Sequence, residues 1–211
     1  MADILNIIKN AVIEGKHSET KDLVKKALQE GIDPNVIIND SLISAMDVVG
    51  INFGSGKIFV PEMLVSAVTM KNGLEILKPL LVGDQSKSRG TVMMATVKGD
   101  IHDIGKNLVS MMLEGAGFRI VDLGTDISIE NLIDKIKEIN PQVLGLSSLL
   151  TTSMFEMKRV IEELEIQGLR KNLKVMIGGP PVDQIFAEKI GADGYGANST
   201  EAVELARRFT R

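Results

Sequence analysis

The sequence predicts an all-helical bundle followed by an α/β unit built on a five-stranded parallel sheet. Up to about residue 80, apolar residues recur at helical spacing. From residue 91 onward, short β-branched runs alternate with amphipathic ones. Between the two lies a polar, glycine-containing stretch, Val82 to Gly90, which reads as a connection. We place a helical domain at 1–84, a linker at 85–90 and an α/β domain at 91–211; the chain of 211 residues has room for both.

In the first half, Ile4, Leu5, Ile7, Ile8, Val12 and Ile13 form one helical stripe that ends at Gly15. Ser18 is the expected N-cap of a second helix, whose stripe is Leu23, Val24, Ala27 and Leu28 and which closes at Gly31. Asp33-Pro34 is a cap followed by Pro at the first helical position. That third helix should run to about Phe53 and break at Gly54-Ser55-Gly56, and Pro61 should open a fourth ending near Leu77. Four helices on short connections make a bundle.

In the second half, strands are expected at 91–97, 119–123, 142–147, 173–177 and around 193–196, with helices at 103–115, 128–139, 152–167, 181–190 and 199–209. Repeated β–α units imply parallel strands with helices on both faces. Gly117, Gly168 and Gly191 stand where C-terminal helix caps belong.

Composition narrows the function. A net charge of −4 offers no electrostatic case for a nucleic-acid partner. The chain has no cysteine, hence no disulfide, thiolate metal site or cysteine nucleophile, which fits a reducing cytoplasm. Met1-Ala2-Asp3 lacks the basic region of a signal peptide, and no stretch reads as apolar enough to cross a membrane. Eleven Met against six Phe and one Tyr suggest an adaptable core or cap.

The chemistry concentrates where strands end. Thr96-Val97-Lys98-Gly99-Asp100-Ile101-His102-Asp103-Ile104-Gly105-Lys106-Asn107 joins the first expected strand to its helix. Such turns, at the carboxyl edge of an open α/β sheet, are where ligands bind. A neutral imidazole is a good transition-metal ligand and usually gives its second N–H to a carboxylate, here Asp100. Gly105 would let something broad lie against the backbone. The alternative is a helix-capping Asp beside a surface histidine. The third strand leads into Ser147-Ser148-Leu149-Leu150-Thr151-Thr152-Ser153, five hydroxyls in seven residues, either ligand contacts or an N-cap with spares. The fourth strand ends Gly178-Gly179-Pro180-Pro181, either a close backbone approach or a tight turn. All three fall on one sheet edge, which favours a shared ligand. No Gly-x-Gly-x-x-Gly, Walker loop or His-Glu-x-x-His competes.

Asp100-x-His102-x-x-Gly105, then Ser147-x-Leu149, then Gly178-Gly179 resembles the cobalamin-binding signature, and the intervening stretches, residues 106–146 and 150–177, have the family's lengths. Met46-Asp47-Val48-Val49-Gly50 through Phe53 to Pro61 resembles the cap segment of methylcobalamin-binding modules. The chain is thus similar to corrinoid proteins of anaerobic methyltransferase systems, which serve methylamines, methanol, betaines or aryl methyl ethers, and to the cobalamin module of methionine synthase. The resemblance implies a flavodoxin-like (Rossmann-type) α/β domain behind a four-helix cap.

It also implies roles. His102 is the expected lower axial cobalt ligand, giving a base-off, His-on corrinoid, with Asp100 on its distal nitrogen and Ser153 completing a relay. Gly99, Ile101, Asp103, Ile104 and Gly105 would surround that ligand. Ser147, Leu149, Leu150, Thr151, Gly178 and Gly179 would line the path of the nucleotide tail, with Tyr195 and Ala197 at its far end. Phe53, Val60 and Met63 match the apolar cap over the methyl-bearing face, and Asn39 falls where the family has a polar corrinoid contact. The implied activity is methyl carriage: Co(I) accepts a methyl group from a substrate-specific methyltransferase, and methyl-Co(III) passes it to a second methyltransferase with a thiol or pterin acceptor. A reductive activase would be a further partner. Alternatives are a cobalamin-binding sensor or regulatory module, an adenosylcobalamin mutase subunit, or a signalling domain without metal.

Overall fold

The computed structural model describes residues 2–81 and 88–211. The expected linker at 85–90 therefore lies partly outside the described residues. Spatially the chain forms two compact units, Met1–Ser88 with Gly115–Gly117, and Arg89–Glu114 with Phe118–Arg211.

The helical unit holds α1 (Ala2–Ile13), α2 (His17–Gln29), α3 (Pro34–Gly54) and α4 (Val60–Leu77), the last running into a 3-10 turn, Lys78–Leu81. Ile8, Val12, Val24, Ile37, Leu42, Val49 and Met63 are fully buried and form its core. The turn after α1 needs glycine: Gly15 has φ +70°, and a β-carbon there would stand 2.3 Å from Val65 Cγ1. Ser18 does not cap α2. That helix begins one residue earlier, no side chain caps it, and the Lys16 carbonyl instead accepts the Thr20 hydroxyl at 2.9 Å. Asp33 does cap α3, accepting the Asn35 N–H at 2.7 Å.

Within α3, residues Ile37–Ile43 wind as a π-helix. Periodicity over seven residues cannot distinguish that winding from an α-helix, so it is not legible from the residue pattern. The expectation that no stretch is apolar enough to cross a membrane does not hold. Pro34–Gly54, 21 residues with a mean hydropathy of 1.4, is long and apolar enough to cross a membrane by length and composition. In this fold it is a packing helix: Ile37, Leu42, Ile43, Ala45, Met46 and Val49 are buried.

The α/β unit alternates β1 (Thr91–Thr96), α5 (Ile104–Gly115), β2 (Arg119–Asp122), α6 (Ile129–Ile139), β3 (Val143–Ser147), α7 (Phe155–Ile166), β4 (Lys174–Gly178), α8 (Gln184–Ile190), β5 (Gly194–Tyr195) and α9 (Ser199–Phe209). All pairings are parallel and the strand order is β2-β1-β3-β4-β5, the flavodoxin-like order. Met93, Leu144, Leu146, Val175 and Ile177 are buried with Leu132, Met157, Ile161 and Leu164 from the helices. Two helices start three residues later than expected. Residues 151–154 form a turn ahead of α7, and α8 follows Asp183, which accepts the Phe186 N–H at 2.7 Å, rather than starting at Pro181. The order reverses between β1 and β3, and that switch point is where a doubly wound sheet opens a crevice at its carboxyl edge.

Candidate functional site at the sheet switch point

Asp100 follows β1 and is completely buried. Its Oδ1 accepts the His102 backbone N–H at 3.0 Å and stands 2.8 Å from the ring Nδ1 of the same residue. Its Oδ2 accepts the backbone N–H of Leu149 at 2.7 Å and of Leu150 at 3.2 Å, from the loop after β3. Two hydroxyls close the shell: Ser153 Oγ lies 3.0 Å and Ser148 Oγ 3.2 Å from Oδ2, and 2.8 Å from each other. Each serine has one proton to give, and the Asp100 carboxylate and the Leu150 carbonyl, 3.1 Å from Ser148 Oγ and 3.2 Å from Ser153 Oγ, both stand within reach as acceptors. Burial alone would push the Asp100 carboxyl up. The N–H groups of His102 and Leu149, the imidazole and the Ser153 hydroxyl outweigh it and hold the group well below the usual carboxylate range.

An ionised Asp100 draws the ring proton to Nδ1, so the Nε2 lone pair of His102 is left for a ligand bond. The imidazole is about half exposed, with 48% of its side-chain surface open. Around it the same loops present apolar surface to solvent: Ile101 is 76% and Ile104 84% exposed, and Leu149 and Leu150 are also exposed. A β-carbon on Gly99 or Gly105 would meet nothing within 4 Å. Asp103 accepts from the Asn107 amide at 3.0 Å and secures the first turn of α5. A single imidazole does not make a metal site. A metal bound here would bring its remaining ligands in a chelating cofactor, and exposed apolar side chains beside open glycines suit a broad, flat one. The residues present therefore fit a macrocycle with an axial imidazole.

Other expected residues lie nearby or apart. Ser147 pairs with Gly178 across β3 and β4. Gly179 has φ +122°, and a β-carbon there would stand 1.9 Å from the Ser148 carbonyl oxygen. This glycine is required by the protein's own packing, whatever binds nearby. Thr151 is exposed, Tyr195 is half-buried against the sheet core, and Ala197 is exposed with its N–H donated to Glu201. In the helical unit, Asn39 is exposed on the π-helical stretch and donates to the Asn35 carbonyl at 2.8 Å. Phe53 is half-buried, Val60 is exposed, and Met63 is fully buried in the core of its own unit.

Sequence reasoning missed two residues. Ser148 was one hydroxyl among five, and only the turn after β3 shows that it faces Asp100. Asp126, in the loop after β2, accepts the Gly99 N–H at 2.8 Å and donates its own N–H to the Asp100 carbonyl at 2.9 Å. No signal in the sequence marks it.

The B12 binding domain family matches residues 90–204, and a second B12 binding domain family matches residues 4–78. The chain is 44% identical over 208 residues to dimethylamine corrinoid protein 1 of Methanosarcina acetivorans, covering 98% of this chain and 97% of that one. The structure is similar to a chain of the methanol:cobalamin methyltransferase complex MtaBC from Methanosarcina barkeri, with a TM-score of 0.89 and 32% identity, covering 99% of this chain and 80% of that one. It is also similar to a cobalamin-binding protein from Desulfitobacterium hafniense, with a TM-score of 0.81 and 32% identity, covering 97% of this chain and 98% of that one.

Proposed function

The chain belongs to the family of B12-binding corrinoid proteins, and on that premise we propose that it is a methyl carrier, serving a substrate-specific methyltransferase. When bound, a corrinoid supplies a cobalt that takes up a methyl group and gives it away again; the protein supplies orientation and tuning. The observation that carries the reading is the buried, fully hydrogen-bonded Asp100 beneath a half-exposed His102 at the switch point.

In this reading the corrinoid binds base-off and His-on. Asp100 holds the proton on Nδ1 and directs Nε2 toward the cobalt. Ser153 and Ser148 keep the carboxylate in place. Ile101, Ile104, Leu149 and Leu150 bear on the apolar macrocycle, with Gly99, Asp103 and Gly105 in the same loop. The nucleotide tail runs along Ser147, Thr151, Gly178 and Gly179 toward Tyr195 and Ala197. Residues 91–211 hold the cofactor and the helical domain serves as the cap of the methyl-bearing face, with Asn39, Phe53 and Val60 as its candidate contacts, while Met63 is buried in the core of its own unit. A second methyltransferase with a thiol or pterin acceptor and a reductive activase complete the system, in the cytoplasm.

The test is electron paramagnetic resonance of the Co(II) holoprotein. Superhyperfine splitting should come from a protein imidazole, and ¹⁵N labelling of the protein alone should change it. His102→Ala should lose the splitting. A pattern unmoved by the label means that His102 is not the ligand.

A further inference from the structure

We infer that Asp126 is a positioning residue for the Asp100–His102 pair. This rests on the reading of His102 as the axial ligand, but its geometry stands without a cofactor. The loop after β2 runs beside the end of β1. Thr96 N–H donates to the Gly124 carbonyl at 3.0 Å, Ile127 N–H donates to the Thr96 carbonyl at 3.1 Å, and Val97 and Ile127 form a parallel bridge. Between these contacts the chain turns left-handed at Asp126, with φ +55°, a conformation few residues with a β-carbon adopt and Asp and Asn tolerate best. Observed backbone strain of this kind clusters at functional sites.

The strained turn lets one residue grip the metal-side loop twice. The Asp126 carboxylate accepts the Gly99 N–H at 2.8 Å, and its backbone N–H donates to the Asp100 carbonyl at 2.9 Å. Asp100 N–H is already given to the Val97 carbonyl at 3.2 Å, and Thr96 Oγ1 donates to the His102 carbonyl at 3.1 Å. The backbone from Gly99 to His102 is thereby held from beneath, and the aim of the Asp100 carboxylate follows from it. The residue must have an oxygen acceptor on a short side chain and must accept the left-handed region. Asp and Asn meet both requirements. Glycine meets only the second, and alanine meets neither.

The test uses the full-length protein with ¹⁵N-histidine in two forms. Without cofactor, long-range ¹H–¹⁵N spectra read the tautomer of His102, assigned against a His102→Gln spectrum. With corrinoid, Co(II) spectra read the ratio of His-on to His-off. Asp126→Asn should match wild type in both. Asp126→Gly and Asp126→Ala should shift the ring toward Nε2–H and lower the His-on ratio roughly 10-fold, the lower end of what loss of an outer-shell partner costs. Asp126→Gly carries no added strain, so it keeps the test valid if the alanine variant fails to fold. A glycine variant that matches wild type overturns the proposal, because the carboxylate is then dispensable. An asparagine variant that falls with the others also overturns it, because charge and not the hydrogen-bonded turn is then what matters. If the tautomer shifts as expected while no form, wild type included, shows a protein nitrogen on cobalt, the positioning role stands and the axial-ligand reading falls.

Discussion

The carbonyl oxygen of Ser148 lies 1.9 Å from the point where a β-carbon on Gly179 would stand. The turn after β4 thus packs directly on the backbone of a residue whose hydroxyl approaches Asp100. Gly179→Ala would have to move Ser148 and also place a β-carbon at φ +122°. Strain and overpacking together should cost about 2–4 kcal/mol. Urea unfolding of the two proteins measures this, and a loss below about 1 kcal/mol would mean that the turn yields easily.

Asp100→Asn keeps the shape of the group but removes its charge, so the Nδ1 proton of His102 is held less firmly. On the proposed reading of His102 as the axial ligand, the variant should still bind corrinoid, with the imidazole–cobalt contact weakened roughly 10–100-fold, or about 1.4–2.7 kcal/mol. Its Co(II)/Co(I) midpoint should become less negative, since the weaker donor stabilises the higher oxidation state less. Spectroelectrochemical titration reads this, and a midpoint equal to wild type would leave Asp100 only as a tie between the loops after β1 and β3.

Lys106 and Asp122 should respond unequally to mutation. The lysine side chain is 1% exposed and the aspartate 37%. Lys106 Nζ bonds to Asp122 and, at 2.8 Å, to Asn107 Oδ1. Lys106→Met leaves a carboxylate that water can reach, at a cost of about 1 kcal/mol. Asp122→Ala leaves a buried cation short of its partner and should cost about 3 kcal/mol. Equal losses in chemical denaturation would contradict the difference in burial.

Asp193 sets a pH dependence remote from the site. Burial pushes its carboxyl up, but the Val175 N–H, Lys174 and Arg170 outweigh it and hold the value below the ordinary 3.8. The contacts are 2.8 Å to Val175 N, 2.9 Å to Lys174 Nζ and 2.8 Å to Arg170 Nη1. A depressed folded-state value stabilises above the unfolded value, and that contribution is lost as pH falls through the folded one. Asp193→Asn should therefore be less stable than wild type by about 1 kcal/mol near neutrality. The gap should narrow below about pH 4. Thermal melts across that range check it, and a gap that widens in acid would reverse the sign.

The elements, and the chemistry they could carry, were legible in the order of residues alone. Apolar spacing of 3.6 in one half, and β-branched runs alternating with amphipathic ones in the other, are local properties. So are the Asp33-Pro34 cap and the pairing of Asp100 with His102 two residues away, which needs only one turn of backbone. The tertiary structure decided what depends on residues distant along the chain. It set the strand order that puts β1 beside β3, and with it the meeting of Asp100 with Ser148 and Ser153, about 50 residues on. It chose Ser148 from among five hydroxyls because the path of one turn fixes which side chain points inward. It gave Gly179 a packing role that a Gly-Gly pair cannot announce, and it brought Asp126 against the loop after β1. Hydrogen bonds and steric limits between segments far apart in sequence leave no periodicity, so these features emerge only when the chain is folded.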